Sequence, residues 1–205
     1  MAKRNKIFTG IGLLLLAAAL FLTAFNIVSD AKAGKTAYTV LDQLAPETEN
    51  PEISQPTPTP KETVIPDYIL NPEMAMPEEE VDGQKYIGVL RIPTLSLELP
   101  VISEWSYPSL QIAPCRYAGS AYLNNMVIAA HNYYSHFGYL KDLSQGDEVT
   151  FTDIDGNVFK YKVVEIETLS PFATEEMTSG DWALTLFTCT VGGQSRVTVR
   201  CELAE

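Results

Sequence analysis

The stretch Thr185-Leu186-Phe187-Thr188-Cys189-Thr190, near the C-terminus, predicts a buried strand that ends in a polar step. Its leucine and phenylalanine are apolar, and its threonines are β-branched, which suits the pleated surface of a sheet. A glycine turn signal follows at Val191-Gly192-Gly193, and Arg196 to Leu203 then alternates with period two, as a final strand would. Cys189 therefore lies at a strand end beside a turn, where a thiol can be partly exposed, as a nucleophile must be.

The other cysteines and the two histidines limit what Cys189 can be. Cys115, Cys189 and Cys201 have no CxxC or zinc-ligand spacing, and their odd number leaves at least one thiol unpaired within the chain. His131 directly follows the short apolar run Met126–Ala130, which predicts a buried strand, whereas the sequence around His136 predicts a surface loop. A small buried cysteine and a structural histidine remain the alternatives to a catalytic pair.

Further short apolar runs indicate an all-β domain that begins near Lys85. The remaining predicted strands are Tyr86–Ile92, Leu95–Ile102, Glu148–Thr152 and Val158–Glu167. Pro100 demotes the second of these runs to an edge or a bend, and Asp153–Asn157 predicts a hairpin turn between the last two. Beyond residue 45 no helical period is sustained, although Tyr139–Leu143 is long enough for one helical turn. About seven or eight short strands predict a barrel or a sandwich.

The N-terminus has the pattern of a membrane anchor. Lys3, Arg4 and Lys6 precede Ile7–Val28, about 22 residues without a charge, which would span ~33 Å as a helix and match the hydrocarbon core of a bilayer. The clustered positive charges predict a cytoplasmic N-terminus and an exported remainder. A cleavable signal peptide is the alternative because Ala31-Lys32-Ala33 resembles a cleavage site, but the apolar run is longer than is usual for one.

A proline-rich segment separates this anchor from the β-domain. Eight of the thirteen prolines fall between Ala45 and Asp82, together with the acidic run Glu78–Glu80. We therefore expect an extended spacer. The alternative is that Tyr68–Leu70 and Met74–Met76 dock on the domain. These patterns divide the chain into a cytoplasmic stub and transmembrane anchor (1–30), a Pro/acidic linker (31–82) and a β-domain (83–205). At the start of the linker, Gly34–Leu44 is expected to continue the helix briefly. The net charge of −12 over 205 residues and the lack of a basic patch exclude a nucleic-acid partner.

Taken together, these motifs resemble the sortases, cysteine transpeptidases anchored on the outer face of Gram-positive membranes. The resemblance rests on Ala129-Ala130-His131-Asn132, on the Cys block from Leu184 to Cys189, which is close to the family's T-L-x-T-C, and on Arg196 at the start of the last strand. The order His, Cys, Arg and the roughly sixty-residue gap from His131 to Cys189 are also similar. The sequence departs from the family at Ala130, where a glycine is common, and Arg200 is a second candidate arginine on the same face.

The resemblance implies a closed eight-stranded β-barrel with short helical turns, on a single-pass protein of the cell membrane whose catalytic domain is extracellular. It implies that Cys189 attacks an LPxTG-like sorting signal to form a thioester, that Arg196 holds the oxyanion, and that His131 exchanges protons with the leaving and incoming amines. The acceptor would be an amine of a peptidoglycan precursor or a pilin lysine. The connection Thr168–Asp181 takes the place of the family's substrate-selecting loop, and the single N-terminal anchor is most similar to class B or D. No cofactor or metal site is implied, although a role for calcium stays open because loop carboxylates are scattered.

Two other classes of protein remain as alternatives. An L,D-transpeptidase also places a histidine before a cysteine in an exported β-rich domain, but its Ser-His-Gly-Cys signature is missing, since Phe187-Thr188 precedes Cys189. A stalked β-domain that binds a wall component without catalysis is the second alternative. Labelling of Cys189 by a small electrophile distinguishes this alternative from an enzyme, because a structural cysteine stays inert.

Overall fold

The structure is a computed structural model that describes residues 2–44 and 65–204. A long N-terminal helix is followed by a sheet of nine strands with short helical segments between them. The helices are α1 Ala2–Leu44, α2 Asp67–Leu70, α3 Tyr107–Leu110 and α4 Thr174–Thr178, and 3₁₀ turns lie at Pro93–Leu95 and Leu140–Asp142. The strands are β1 Glu79–Val81, β2 Gln84–Ile92, β3 Leu97–Ile102, β4 Cys115–Ala118, β5 Met126–Ala130, β6 Glu148–Asp153, β7 Val158–Leu169, β8 Leu184–Cys189 and β9 Arg196–Leu203.

The sheet closes on itself. Its strand order is β1-β2-β3-β4-β5-β8-β9-β7-β6, and β6 pairs back onto β2, so that β2 to β9 form a closed barrel of eight strands with β1 added outside. Closure removes exposed strand edges from the barrel. This confirms the predicted all-β class and the eight-stranded barrel, and it selects the barrel over the sandwich.

Side chains that alternate along each strand fill the barrel. Leu184 and Leu186 of β8, Val199 and Cys201 of β9, and Ile128 of β5 all lie in the main apolar core and are essentially inaccessible to solvent. Their neighbours along the same strands point to the outside of the barrel, as the period of two requires. The outer face of β5, β8 and β9 is therefore where Phe187 and the residues at the strand ends lie.

The central strands fix which end of the barrel each residue occupies. β5 and β8 are parallel, with Ala130 opposite Thr188, and β8 and β9 are antiparallel, with Cys189 opposite Arg196. Parallel neighbours end at the same edge of a sheet, and an antiparallel hairpin begins its second strand where the first one ends. Pro100 lies in β3 and pairs with Val89 of β2. The other side of β3 meets β4 only at Ile102, so Pro100 has the edge position that the sequence predicts.

The described parts of the predicted linker are ordered against the barrel. Residues 31–44 continue α1, as expected for Gly34–Leu44, and Ala33, Ala37 and Val40 form a small apolar stripe that is buried on the domain. At the other end of the linker, Met76 is buried and Tyr68 stacks on Tyr122 at 4.6 Å between ring centroids, as the docking alternative predicts. The Pro56–Pro60 repeat lies outside the described residues.

Candidate active site

The three residues singled out from the sequence lie in one row across neighbouring strands. His131 follows the last residue of β5, Cys189 is the last residue of β8, and Arg196 is the first residue of β9. Because Ala130 pairs with Thr188 in the parallel β5–β8 ladder, His131 and Cys189 occupy the next position in register. Cys189 and Arg196 are themselves partners in the β8–β9 ladder. All three line the same groove at one end of the barrel, which we call the active-site end.

Hydrogen bonds hold the strand ends that carry these residues. The buried Thr188 hydroxyl donates to the Ala130 carbonyl at 2.9 Å, so a side chain ties β8 to β5 immediately before Cys189 and His131. On the other side, the Thr190 backbone N–H donates to the Ser195 carbonyl at 3.0 Å and closes the glycine turn between β8 and β9. The Phe137 N–H donates to the His131 carbonyl at 3.2 Å, which folds the following loop back on itself.

Arg196 is held by the turn that precedes it. Its Nη1 atom donates to the carbonyls of Gly193 and Ser195, at 3.2 and 3.1 Å. The guanidinium still lines the groove beside Cys189, and the N–H groups not used by these two bonds remain available there. Arg196 is half-buried, so its charge is only partly screened by solvent.

The groove has a volume of about 210 Å³ and runs over the outer face of β5 and β8. Its floor is formed by Ala129, a small residue that leaves room for an extended peptide. One wall is aromatic: Trp105 packs on Tyr117 at 5.4 Å between ring centroids, and Tyr117 packs edge-on against Phe187 at 5.3 Å. The wall residues Trp105 and Tyr107 were not predicted; their only sequence signal is two aromatic side chains close together at the start of α3.

The opposite wall comes from the β7–β8 connection, which carries α4. Pro171 and Met177 of this connection both line the groove, whereas Phe172 projects into solvent with 90% of its surface exposed. Arg200, the second candidate arginine, does not reach the groove. It is buried under this connection, where its guanidinium donates to the carbonyls of Met177 (3.0 Å) and Glu176 (2.6 Å).

Arg200 thus acts as a clamp for the loop rather than as part of the reactive row. It also forms a salt bridge with Glu167 of β7 at 2.8 Å and donates to the Thr185 hydroxyl at 3.1 Å. Cations near the last carbonyls of a helix are favourable, and α4 ends at this point. Among the two arginines considered from the sequence, the structure brings only Arg196 to the cysteine.

The two histidines have different environments. His131 is half-buried, and burial lowers the pKa of its imidazole, which favours the neutral ring at neutral pH. His136 was predicted in a surface loop, and this prediction is wrong: its side chain is fully buried and neither ring nitrogen has a hydrogen-bond partner. The error arises because the loop turns inward at His136 and Phe137, so that both side chains are buried and the His136 ring packs against Tyr133.

The three cysteines are free thiols with contrasting exposure. Burial raises the pKa of Cys115 and of Cys201 to about 12, and both lie in apolar cores. Cys189 is half-buried at the groove. It is therefore the thiol that a reagent or substrate can approach. Among the described residues, no three His, Cys, Asp or Glu side chains lie close enough to hold a metal ion.

Comparisons with known proteins agree with this geometry. A Sortase domain model matches residues 90–204, more than half of the chain. Sortase A from Corynebacterium diphtheriae is 23% identical with a TM-score of 0.53 over 60% of this chain, and this chain spans 62% of that one. No curated protein sequence matches.

Two further solved structures are similar. The Group B Streptococcus Pilus Island 1 sortase C2 is 26% identical with a TM-score of 0.53 and covers 62% of this chain and 77% of its own. A Clostridium perfringens sortase D5 transpeptidase is 20% identical with a TM-score of 0.57 and covers 85% of this chain and 99% of its own. The closed barrel, the strand-end row of His131, Cys189 and Arg196, and the matched domain together lead to one assignment: this chain belongs to the sortase family.

Proposed function

We propose that the chain is a cysteine transpeptidase that cleaves a sorting peptide and transfers its acyl part to an amine. The observation that carries the proposal is the row of His131, Cys189 and Arg196 on three neighbouring strand ends, open to one groove. A nucleophile, a proton carrier and an oxyanion donor at one peptide bond are what acyl transfer requires. Family membership adds to this reading.

In the proposed reaction, the Cys189 thiol transfers its proton to the neutral His131 imidazole and the sulfur attacks the peptide carbonyl. The tetrahedral intermediate carries a negative charge on oxygen, which the Arg196 guanidinium stabilises. Collapse forms a thioester and breaks the C–N bond, and the imidazolium gives its proton to the departing amine. The incoming amine then attacks the thioester, loses a proton to the imidazole and releases Cys189 as the thiol.

The groove supports an extended peptide with small and apolar side chains as the substrate. Its floor at Ala129 is open, and its walls are apolar or aromatic except at the reactive row. This fits an LPxTG-like signal whose threonine carbonyl reaches Cys189. The acceptor is an amine of a peptidoglycan precursor or a pilin lysine, and the similarity to a sortase described from a streptococcal pilus island supports the second source.

We also propose that α1 anchors the protein in the membrane. Within the described residues α1 is the one helix long and apolar enough to cross a bilayer, and none of its most apolar stretch is buried in the protein. Lys3, Arg4 and Lys6 favour a cytoplasmic N-terminus, which leaves the barrel outside the cell. On this basis residues 1–30 are the stub and anchor, 31–82 the connection and 83–205 the catalytic barrel.

The test uses the full chain reconstituted in nanodiscs, with a panel of sorting-signal peptides and amines, and reads the products by mass. We expect a thioester-dependent peptide–amine product that is lost in Cys189→Ala. An Arg196→Ala variant should lose about 100- to 1,000-fold in kcat, the usual effect of removing one oxyanion donor. Cys201→Ala serves as the matched cysteine control and should keep its activity. Full turnover by Cys189→Ala would end the proposal.

A further inference from the structure

Helix α1 runs along the outside of the barrel from the active-site end to the opposite end. At the first end, the Asp30 carboxylate accepts hydrogen bonds from the Tyr134 and Ser135 backbone N–H groups, at 3.1 and 3.0 Å, and these residues belong to the loop that follows His131. At the other end, Leu44 lines a cavity together with Gly156 of the β6–β7 turn. The β6–β7 turn immediately precedes β7. Because Leu169, the last residue of β7, pairs with Arg196 at the active-site end, the β6–β7 turn lies at the opposite end of the barrel.

The attachment between α1 and the barrel is close. Gly34 lies against Ser135, where an added Cβ would be only 3.0 Å from the Ser135 Cβ, and the Ser135 hydroxyl donates to the Asp30 carbonyl at 3.1 Å. Ala33 and Val40 are almost completely buried on the barrel. Small residues allow a helix to approach its neighbour closely, so α1 is fixed in direction rather than hinged at this point.

This direction decides where the apolar part of α1 points. The uncharged run ends at Val28, two residues or about 3 Å before Asp30 along the helix. The headgroup layer adds about 5–8 Å on each side of a hydrocarbon core of ~30 Å, so Asp30 and the Tyr134–Ser135 loop that it binds fall within that layer. The short connection leaves no length of chain for a stalk between the membrane and this end of the barrel.

We propose that the active-site end of the barrel rests on the surface of the bilayer from which α1 emerges, with the tips of three loops in contact with lipid. The loops are the His131 loop (residues 132–139), the start of the β7–β8 connection (170–174) and the β8–β9 turn (190–195). This proposal rests on the proposed membrane anchoring of α1. It places the groove beside the membrane rather than at the end of a spacer.

The composition of the three loops supports a lipid surface as the partner. None of their residues is charged, in a chain of which 20% is charged. Each nevertheless exposes an apolar or aromatic side chain: Tyr134 is 68% exposed, Phe172 90% and Val191 93%. Tyrosine and other amphipathic or apolar side chains are favoured at the headgroup boundary.

Charge near these loops is mixed, since the exposed Glu175 and Glu176 directly follow residues 170–174 and limit the lipid contact there to the loop tip. The exposed Lys32 and Lys35 follow Asp30 on α1 and would face the headgroups, where cations are attracted to anionic lipid. The carboxylates at the opposite end, such as Asp155 in the β6–β7 turn, are held away from that surface. Asp30 itself is saturated by hydrogen bonds from the loop, which offsets the cost of placing a carboxylate near lipid.

The experiment places single fluorescent labels on the full chain in lipid vesicles. In a Cys189→Ala background the two remaining thiols are buried, so a maleimide dye such as NBD reacts only with an introduced cysteine. The test positions are Tyr134→Cys, Phe172→Cys and Val191→Cys. The matched control is Val158→Cys, an exposed valine at the opposite end, and Leu16→Cys reports insertion of α1. Vesicles are prepared without nitroxide lipids, with headgroup nitroxides that quench dyes at the bilayer surface, and with acyl-chain nitroxides that quench dyes in the hydrocarbon core, where Leu16 would lie.

We expect nitroxide lipids to reduce the emission of the Phe172 and Val191 labels by roughly half or more, close to the reduction at Tyr134, because these positions lie at the membrane interface. The Val158 label, which faces water at the opposite end, should lose almost no emission. Equal emission from the Val191 and Val158 labels would overturn the proposal. Lack of quenching at Leu16 would overturn both the anchor and this orientation. Because the background is catalytically inactive, failure of the transpeptidase proposal would show only in the product assay and not here.

Discussion

His136 should make the barrel sensitive to acid. Its side chain is fully buried, and the pKa of its imidazole is lowered to about 4, mainly by burial and further by the neighbouring His131, while the Asp30 carboxylate opposes the shift. The free-chain value is about 6.5. A buried neutral histidine must take up a proton when the protein unfolds in acid, so the unfolded state binds more protons than the folded state between these two values.

The sign and size of the effect follow from this difference. Stability is unaffected well above pH 6.5, falls as the pH drops through that value, and levels off below about pH 4. With the two pKa values 6.5 and about 4, linkage gives a loss of about 2 kcal/mol between pH 7 and pH 5, or about twenty-fold in the folded-to-unfolded ratio. The depressed pKa of His131 adds to the loss in the same direction.

The assay is equilibrium unfolding of the full chain in detergent at pH 7 and pH 5, followed by tryptophan fluorescence. Both tryptophans, Trp105 and Trp182, lie in connections of the barrel domain and none lies in α1, so the long helix does not contribute to the signal. The variant His136→Phe removes the buried titration and keeps an aromatic ring of similar volume. We expect it to lose about 2 kcal/mol less than the wild type over this range.

Two results would refute the reasoning about His136. One is the same loss of stability in the wild type and in His136→Phe, which would mean that other groups carry the pH dependence. The other is a direct NMR titration of the wild type in which the His136 ring becomes protonated near pH 6.5 in the folded state. The NMR measurement does not depend on whether the variant folds, and with only two histidines in the chain the signals are simple to assign.

Three further changes test other contacts. Iodoacetamide at pH 8 should modify Cys189 and leave Cys115 and Cys201 intact, because burial raises the pKa of both buried thiols to about 12. Peptide mass mapping measures this, and modification of Cys115 or Cys201 would contradict it. Arg200→Met should lower the free energy of unfolding by about 3 kcal/mol, because it leaves buried partners unpaired. The control Arg91→Met breaks the exposed Arg91–Glu98 pair and should cost less than about 1 kcal/mol. Equal losses would contradict the role of Arg200 in holding the β7–β8 connection. Asp30→Ala should lower kcat with little change in KM, because the His131 loop loses its support, while Asp42→Ala on the same helix should change neither.

Much of the barrel was predictable because its strands follow simple periodicity. β5, β8 and β9 have uninterrupted apolar or alternating patterns, and the Gly192-Gly193 turn separates β8 from β9. The position of the three candidate residues then follows, since each one stands at a strand end. β4 was missed because it has only four residues, and Arg116 and Tyr117 within it resemble a loop.

Other features could not be predicted because they depend on contacts between distant segments. A continued helix from Gly34 to Leu44 was predicted, but these residues contain few large apolar side chains, so nothing in their composition shows that the helix packs on the barrel. What buries them is close approach through Gly34 and the alanines, which needs the partner surface to be known. The burial of His136 has the same origin, since its neighbours Ile112 and Asp30 are distant in the sequence.

The reactive row depends on strand register as well as on strand ends. Side chains alternate between the two faces of a strand, so a slip of one residue in β8 would turn Cys189 into the barrel and bring Thr188 to the groove. Two features oppose such a slip. Leu184 and Leu186 fill the core on one face, and the inward Thr188 hydroxyl donates to the Ala130 carbonyl, a bond that exists in one register only. Thr188 therefore positions the thiol beside the imidazole without itself lying in the groove, which gives a physical reason for a threonine immediately before the cysteine.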